Sequence, residues 1–499
     1  MLSLHRYCLS MSTDSSRLSS RLRELLRNSA TPGASRDEVR PIGGDNPPAE
    51  SSRERRYVLD DDVPIAHETP TGCVVMERHY DLDWNHGSQA LRHHAEAIER
   101  CLPALAVLAA DERAAGGPRL ERPRRLHFDA TRSLADDRRR PMVPTDGPLL
   151  FLDLETTGLS GGAGTIAFLV GCGYFDGEGF QVVQYFLSGY HAEHELLVTV
   201  AALTEKFGGL VTFNGRTFDV PLIETRYLFH RLSSPFGEMP HFDMLYPARR
   251  LWRRRGEAAA GRREGRDRDS FDQSSCALGA LEEAILGVHR VDDVPGSEIP
   301  SRYFRFLRTG DLQPLEQVFE HNRLDLISLA ALTALGMRMV EGGAEAVPSP
   351  HEALAMGQIY EYLGRHGEAE AHFARAAGWD PAPWDTRSID RTIRAEALHH
   401  LAVHRRRQRR YAAAAEAWHD MLDAGPGQPL AQEARRALAI HHEHRCRDLD
   451  AARAFVLHAL ESERDPAQID ALRHRLARLE RKRQAGRQEH PDQATLRRD

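Results

Sequence analysis

Short apolar runs in the middle of the chain predict a sheet that opens with three consecutive strands. The first two runs are LLFLDLE, at residues 149–155, and TIAFLVGCGYF, at 165–175. The third, FQVVQYFL at 180–187, is separated from the second by DGEG, a strong signal for a tight hairpin. GLVTF, at 209–213, predicts a further short strand.

Helical spacing of apolar residues follows these strands. It is present in AEHELLVTVAALTEKF, in VPLIETRYLFHRL, in CALGALEEAIL and in the long run PLEQVFEHNRLDLISLAALTALGMRM. HFDMLYPARRLW, at 241–252, predicts a strand end that runs into another helix. A meander followed by alternating helices and strands predicts an α/β domain with a mixed sheet flanked by helices. We place this domain at residues 148–342.

From about Ser349 the pattern becomes Ala-rich and purely helical, and it repeats. The segments EAEAHFARAA, AAAAEAWHDML and DAARAFVLHAL align with Phe373, Trp418 and Phe455 in register, and each follows another helical run. Paired helices with small residues at their contacts predict an all-α domain of tetratricopeptide-like repeats at 349–480. The spacings vary and exceed the ideal of about 34 residues.

The remaining segments differ in composition. Residues 1–55 are rich in Ser, Arg, Gly and Pro and predict a disordered segment, as does the polar tail at 481–499. Residues 56–147 are predicted as an extension and linker, with a strand at CVVMERHY and a helix at SQALRHHAEAIERCLPALAVLAA. A charged, Gly-containing stretch at 253–274 predicts a mobile loop.

Composition narrows the class of protein. The net charge of −7 does not favour nucleic-acid binding by the whole molecule, so any such binding depends on local patches. Six scattered cysteines without a CxxC pair are typical of a reducing compartment. No stretch approaches the roughly 20 apolar residues that a membrane span needs. We therefore expect a cytoplasmic protein that does not enter a membrane.

Two acids end the first strand of the sheet. Asp153 and Glu155 are two positions apart, so their carboxylates share one face of the strand. Like charges at that distance repel, and burying them is costly unless a cation binds. Further along the chain, Asp219 follows the fourth strand, and His321 lies four residues before Asp325 on one helical face.

Four carboxylates could hold two divalent cations roughly 4 Å apart, an arrangement suited to in-line phosphoryl displacement. Hard oxygen ligands favour Mg²⁺ or Mn²⁺, and a histidine can take a proton from the attacking water. Each residue also has a simpler interpretation. Asp219 precedes Val220-Pro221 and could cap a helix, Asp325 could be a solvated acid, and His321 could be a surface histidine.

A basic patch is the candidate for contacts with nucleic acid. PARRLWRRR places Arg249, Arg250 and Arg253 around Trp252, where arginines could contact phosphates and the indole could stack on a base. The alternative is a solvated helix face with Trp252 in the core. Thr156 and Thr157, which follow the first two acids, could contact a terminal nucleotide, although a simple strand-ending turn is the alternative. We add Asn214, which opens the NGRTFD motif.

The ordered set of motifs resembles the DEDD exonucleases of the ribonuclease H-like superfamily. It comprises Asp153-Leu-Glu155, NGRTFD with Asp219, and HNRLD with His321 and Asp325. Together with DDVPGSEIPSRYFRFLRTGD, these segments are similar to the YprB-type bacterial branch, which often carries C-terminal tetratricopeptide repeats. The resemblance covers roughly residues 148–340.

The resemblance implies a metal-dependent 3′→5′ exonuclease with two Mg²⁺ or Mn²⁺ ions. Asp153 would bridge both ions, Glu155 and Asp325 would hold the first, and Asp219 the second. His321 departs from the pattern, because it has the spacing of the subclass that carries Tyr, so it could orient water rather than act as the base.

Two other functions remain open at this point: an endonuclease of the same superfamily, and a non-catalytic adaptor that binds nucleic acid and acts through its repeats. The expected partners are nucleic acid, DNA or RNA, and a protein bound by the repeats.

Overall fold

The computed structural model describes residues 65–69, 72–109, 144, 146–158, 164–260, 276–291, 293–378, 388–425 and 427–489. The chain divides into two compact units, Met1–Met337 and Arg338–Asp499. The segment at 1–55 that we predicted to be disordered lies outside the described residues, as does most of the predicted charged loop.

A seven-stranded mixed sheet forms the centre of the first unit, as the sequence predicted. Its strand order is β1-β2-β7-β6-β5-β8-β9. Only the pairs β5–β8 and β8–β9 are parallel. A separate two-stranded hairpin is formed by β3 and β4. The strands are β1 Ile65–Glu68, β2 Cys73–Asp81, β3 Asn85–His86, β4 Gln89–Ala90, β5 Leu149–Thr156, β6 Ala167–Phe175, β7 Gly179–Leu187, β8 Gly209–Thr212 and β9 His241–Asp243.

Two strands of this sheet come from the segment that we predicted to be an extension. β2 pairs antiparallel with β7 over its whole length, from Cys73 opposite Leu187 to Asp81 opposite Gly179. β1 then pairs with β2 and forms the edge of the sheet. β7 is thereby hydrogen-bonded on both sides and does not present an open edge. The sheet therefore begins well before residue 148.

Eight helices of the first unit, among the described residues, accompany the sheet. The predicted helix at 88–110 is interrupted at Pro103, whose nitrogen cannot donate a hydrogen bond. The run CALGALEEAIL forms a short helix followed by a π-helical turn, Glu282–Leu286. The helices are α1 Leu91–Arg100, α2 Ala104–Leu108, α3 Glu193–Thr204, α4 Asp219–Phe229, α5 Leu245–Ala260, α6 Leu278–Leu281, α7 Ile299–Thr309 and α8 Gln313–Glu341.

Aromatic packing fixes α7 and α8 against the sheet. Tyr303 of α7 stacks on Phe168 with ring centroids 4.1 Å apart, and its hydroxyl donates to the carbonyl of Leu187. Phe319 of α8 packs edge-on against Phe186 of β7 at 5.1 Å. Burial of such rings contributes roughly 1.5–3 kcal/mol each. These contacts fix α7 and the first turns of α8 against β6 and β7.

The second unit consists of helix pairs. Gly357, Ala402 and Ala439 are buried and each lies sixteen positions before Phe373, Trp418 and Phe455, respectively. A Cβ on Gly357 would lie 2.6 Å from the Phe373 ring, so only a small residue fits there. The helices are α9 Pro350–Tyr362, α10 His366–Ala377, α11 Ser388–Arg407, α12 Tyr411–Asp423, α13 Gln428–His441, α14 Leu449–Ser462 and α15 Pro466–Glu489.

The last helix corrects the expectation for the C-terminal tail. We predicted disorder from residue 481, whereas α15 continues to Glu489. Its polar sequence is compatible with a helix because the buried carboxylate of Glu443 accepts from Arg475, Arg478 and Lys482 along one side of α15. Residues 490–499 lie outside the described part of the chain.

Candidate active site

β5 carries two acids at the centre of the sheet. Asp153 and Glu155 lie on the same face, and the pairing of β5 with β6 shifts register between Glu155 and Thr156. Asn322 of α8 donates from Nδ2 to Oδ2 of Asp153 at 2.7 Å and also approaches its backbone carbonyl at 3.2 Å. Gln184 of β7 in turn donates to Oδ1 of Asn322 at 2.8 Å. The Asp153 carboxylate is therefore oriented by a buried amide.

Asp219 is the first residue of α4, and the structure does not support its interpretation as a capping residue. The residue at the cap position is Phe218, and no side chain caps this helix end. Asp219 instead interacts electrostatically with Asp243 and Asp325. Its carboxylate accepts no hydrogen bond from the residues that the structure describes.

Asp243 anchors the loop that leads to Asp219. It is fully buried and accepts hydrogen bonds from the backbone amides of Asn214 at 2.7 Å, Arg216 at 3.1 Å and Leu245 at 3.1 Å. Asn214 has φ of 66°, a left-handed conformation that asparagine tolerates better than most residues. Asp243 thus has a structural role in shaping the loop.

His321 and Asp325 share one face of α8, as their spacing predicted. His321 Nε2 lies 3.5 Å from Oδ2 of Asp325. His321 Nδ1 lies 2.7 Å from Oδ1 of Asp293 and 3.1 Å from Nη1 of Arg290. The side chain of His321 is 18% exposed, so it is a partnered, mostly buried histidine.

Arg290 is the cation of this cluster. Its guanidinium pairs with Asp325 and makes two contacts with Glu282, from Nε to Oε2 at 2.6 Å and from Nη2 to Oε1 at 2.5 Å. It also lies 3.6 Å from Asp293. The Arg290 side chain is 8% exposed and that of Glu282 is 0% exposed. A buried carboxylate therefore holds the arginine in place.

The acids perturb one another strongly. Burial, followed by the charges of Asp325 and Asp219, raises the pKa of Asp153 well above its ordinary value. Burial and the charges of Asp153 and Asp325 do the same to the pKa of Glu155. Burial, then Asp243 and Asp325, raises the pKa of Asp219 to about 7. These shifts mean that bringing all the negative charges together without a cation is unfavourable.

These side chains have the right donor atoms for a divalent cation, but they are not arranged as a preformed metal site. Among the described residues, no three His, Cys, Asp or Glu side chains are arranged to hold a metal ion. In this arrangement Arg290 engages Asp325. The donors are nevertheless all carboxylate oxygens, which suit Mg²⁺ or Mn²⁺, and added positive charge would relieve the repulsion among them.

The structure overturns one of the residues assigned to nucleic-acid binding. Trp252 is 0% exposed and packs in the core, so its ring is not accessible for base stacking. The amphipathic spacing of α5 points it inwards. On the same helix, Arg249 and Arg250 are half-buried and Arg253 is exposed.

Thr156 and Thr157 shape the turn after β5. The Thr156 hydroxyl donates to the carbonyl of Gly158 at 2.9 Å, and the Thr157 hydroxyl accepts from the amide of Ile166 at 3.0 Å. Both side chains are half-buried beside the acids. These contacts agree with the alternative interpretation of a strand-ending turn, and they leave the two backbones next to Asp153.

Sequence reasoning missed several side chains of the site. Asn322 stands within the HNRLD motif, directly after the histidine, and its position was the available signal. Arg290 precedes the segment DDVPG, which carried part of the family resemblance, and Asp293 lies within it, but nothing in their spacing relates them to Asp325. Glu282 and Gln184 had no recognisable signal, because each meets its partner only across the fold.

Comparison with known proteins agrees with this geometry. A family model described as RNase_H superfamily matches residues 150–335. The chain is 29% identical over 338 residues to "Uncharacterized protein YprB" of Bacillus subtilis (strain 168), a match that covers 67% of this chain and 75% of that protein. Among the described residues, no helix is both long and apolar enough to cross a bilayer. Residues 150–335 therefore form an RNase H-like domain, with a mixed sheet, flanking helices and acids at the end of the first matched strand.

Proposed function

We propose that this domain is a metal-dependent nuclease that hydrolyses phosphodiester bonds of nucleic acid, and that it acts as a 3′→5′ exonuclease. The observation that carries the proposal is that Asp153, Glu155, Asp219 and Asp325 gather at one site, where burial and the neighbouring acids raise the pKa values of the first three. Nuclease chemistry in general follows from the superfamily. The polarity rests on the resemblance to DEDD exonucleases.

Four residues would hold two Mg²⁺ or Mn²⁺ ions: Asp153, Glu155, Asp219 and Asp325. When bound, such ions neutralise charge on the phosphate and on the attacking and leaving oxygens. The chain contributes the orientation of the ligands. Asn322 holds one Asp153 oxygen, and the loop tied to Asp243 sets the start of α4, which carries Asp219.

In this proposal His321 would receive the proton of the attacking water. The 2.7 Å contact between its Nδ1 and the Asp293 carboxylate favours the tautomer with a proton on Nδ1. The lone pair then lies on Nε2, which faces Asp325 and the acids. As the water oxygen bonds to phosphorus and the P–O3′ ester bond breaks, the water proton would pass to Nε2, and the leaving 3′ oxygen would take a proton from solvent. In the alternative that its spacing suggests, His321 orients this water by a hydrogen bond.

His321 must be neutral to accept the proton of the attacking water. Burial lowers the pKa of His321, but the charge of Asp325 and the hydrogen bond to Asp293 outweigh burial, so the pKa lies above its ordinary value. Cations bound to Asp325 would oppose that rise, because they cancel the negative charge that causes it.

Substrate contacts complete the proposal. Arg253 is exposed on α5, and the half-buried Arg249 and Arg250 lie on the same helix, so we infer that the three would contact phosphates of the substrate. Thr156, Thr157 and Asn214 would offer backbone or side-chain contacts to the terminal nucleotide. The helix pairs of the second unit we infer to be tetratricopeptide-like repeats that recruit a protein partner, since such repeats build binding surfaces and rarely supply catalysis.

The test is degradation of labelled single- and double-stranded DNA and RNA by the purified protein with Mg²⁺, Mn²⁺ or EDTA. We expect metal-dependent loss of nucleotides from the 3′ end, and no product from Asp153→Asn. Glu205→Gln, which changes an exposed acid at the end of α3, is the control and should be as active as wild type. Full activity of folded Asp153→Asn would refute the two-metal assignment.

Two substrates separate the rival functions. Cleavage of a circular single strand would identify an endonuclease instead. Binding without cleavage of any substrate, in every metal tried, would favour the adaptor.

A further inference from the structure

We propose that Arg290 is a resident cation of the acid cluster: it competes with a divalent ion for Asp325 and thereby sets the metal concentration that the centre requires. The inference rests on the proposed metal-dependent function and concerns a residue that the acidic motifs do not include. Arg290 is a positioning residue in this role, because it acts through Asp325.

The contacts of Arg290 show that its position is built into the fold. All three guanidinium nitrogens are engaged: Nε and Nη2 with Glu282, Nη2 also with Asp325, and Nη1 near His321 and Asp293. Every nitrogen of the guanidinium therefore has a neighbouring partner within the cluster. Its positive charge faces the carboxylates of Glu282 and Asp325.

Glu282 keeps Arg290 in place when a metal ion binds to Asp325. The Glu282 carboxylate is 0% exposed, and without Arg290 its charge would be buried and uncompensated. Removing one partner of a buried ion pair strongly destabilises the protein, because the other charge is left without compensation. The arginine therefore stays beside Asp325 as a fixed positive charge, whatever else binds there.

A second set of contacts holds Glu282 itself. The Ser328 hydroxyl hydrogen-bonds Glu282, and His86 of β3 lies 2.6 Å from Ser328 through its Nε2. The tight turn of that hairpin lies against the π-helical turn that begins at Glu282. Gly87 has φ of 63°, and a Cβ there would lie 2.1 Å from the carbonyl oxygen of Leu286. The N-terminal hairpin thus supports the element that holds Arg290.

The position of Arg290 predicts the direction in which each substitution should change the affinity for a metal ion. Asp325 is shared between Arg290 and any cation, and like charges near one carboxylate repel. Removing the arginine charge should therefore tighten metal binding, both by freeing Asp325 and by leaving Glu282 negative. Removing the Glu282 charge should weaken it, because the charge of Arg290 is then uncompensated. A purely structural pair would lose metal affinity in both variants.

The experiment is calorimetric titration of the full-length protein with Mn²⁺ in the absence of nucleic acid. Arg290→Gln should lower the Kd for Mn²⁺ about tenfold or more, which corresponds to about 1.4 kcal/mol. Glu282→Gln should raise it by a similar factor. Arg305→Gln, which changes a largely exposed arginine of α7, is the matched control and should bind Mn²⁺ as wild type does.

A double variant keeps the test decisive if Arg290→Gln alone fails to fold. Arg290→Gln with Glu282→Gln removes both buried charges and leaves two amides able to hydrogen-bond each other, so it should fold and should still bind Mn²⁺ more tightly than wild type. An unchanged or higher Kd in folded Arg290→Gln and in the double variant overturns the inference and leaves the nuclease proposal standing. If neither wild type nor any variant binds Mn²⁺, the metal-dependent function falls, and this inference with it.

Discussion

At the scale of single residues, the orientation of Asp153 depends on space left by a glycine. Asn322 reaches Asp153 and Gln184 at once, and a Cβ on Gly171 would lie only 2.2 Å from Oδ1 of Asn322. No residue with a side chain fits at position 171 unless Asn322 moves. The carboxylate that we propose as a metal ligand is thus aligned by three residues from β6, β7 and α8, and none of the three is itself an acid.

The first prediction tests this alignment. Asn322→Ala should weaken Mn²⁺ binding or slow nucleotide release by about 10–100-fold, as loss of an outer partner of a metal ligand usually does. Gly171→Ala should produce the same defect by displacing Asn322 without deleting it. Calorimetric titration and a single-turnover assay give the two values. Gln317→Ala, on an exposed position of α8, should change neither, and wild-type behaviour of Asn322→Ala would remove the role assigned to it.

The second prediction concerns His321. His321→Ala should slow turnover by about 10²–10⁴-fold, the range for loss of a general base, while Mn²⁺ affinity changes little. His321→Tyr should keep more activity than His321→Ala, because the spacing to Asp325 is that of the Tyr subclass. His289→Ala removes an exposed histidine near Arg290 and serves as the control. Equal rates for wild type and His321→Ala at saturating metal would mean that another group activates the water.

At the scale of elements, single buried acids hold helices and loops together. Glu193 of α3 is paired bidentately with Arg226 of α4 at 2.6 and 2.7 Å, and His230 lies 2.8 Å from the same carboxylate. In the second unit, Glu443 accepts from three cations of α15, and burial is outweighed there by the hydrogen bonds and charges of Arg478 and Lys482. Its pKa is thereby lowered to about 2.

The third prediction follows from that lowered pKa. A carboxyl whose pKa is lower in the folded state contributes stability above its ordinary pKa and loses it as pH falls towards the folded value. Glu443→Gln should therefore reduce the free energy of unfolding by on the order of 2 kcal/mol at pH 7, allowing for partly exposed partners. The difference from wild type should shrink between about pH 4.5 and pH 2.

Thermal unfolding followed by circular dichroism across this pH range measures the effect. Glu461→Gln, at an exposed position of α14, should leave the unfolding curve unchanged at each pH. A difference between Glu443→Gln and wild type that stays constant from pH 7 to pH 2.5 would show that charge is not what ties α15 to Glu443.

At the scale of the whole molecule, the division into two compact units suggests a division of labour. All the side chains proposed for catalysis lie in Met1–Met337, and the helix pairs lie in Arg338–Asp499. The fourth prediction is that a chain ending at Glu345 folds and degrades a short oligonucleotide at a rate within a few-fold of the full-length protein. The matched control is the same shortened chain with Asp153→Asn. If the shortened chain folds but stays inert at high concentration, the helix pairs belong to the active unit.

The sequence alone determined features that depend on neighbours close along the chain. Strand length and i, i+2 geometry placed Asp153 and Glu155 on one face of β5, and i, i+4 spacing placed His321 beside Asp325. The three-strand meander, the following helices and the all-helical second unit were predictable for the same reason. Periodicity is a local property, and local backbone geometry decides which side chains share a face.

Only the tertiary structure decided which distant side chains meet. Asn322 is 169 positions from Asp153, and β2 pairs with β7, which is also distant along the chain. No local sequence pattern predicts either contact. Packing also turned Trp252 into the core rather than towards a base, left Asp219 without a capping role, and brought Arg290 to Asp325. Burial and charge depend on everything that surrounds a residue, and those surroundings exist only once helices and sheet have packed.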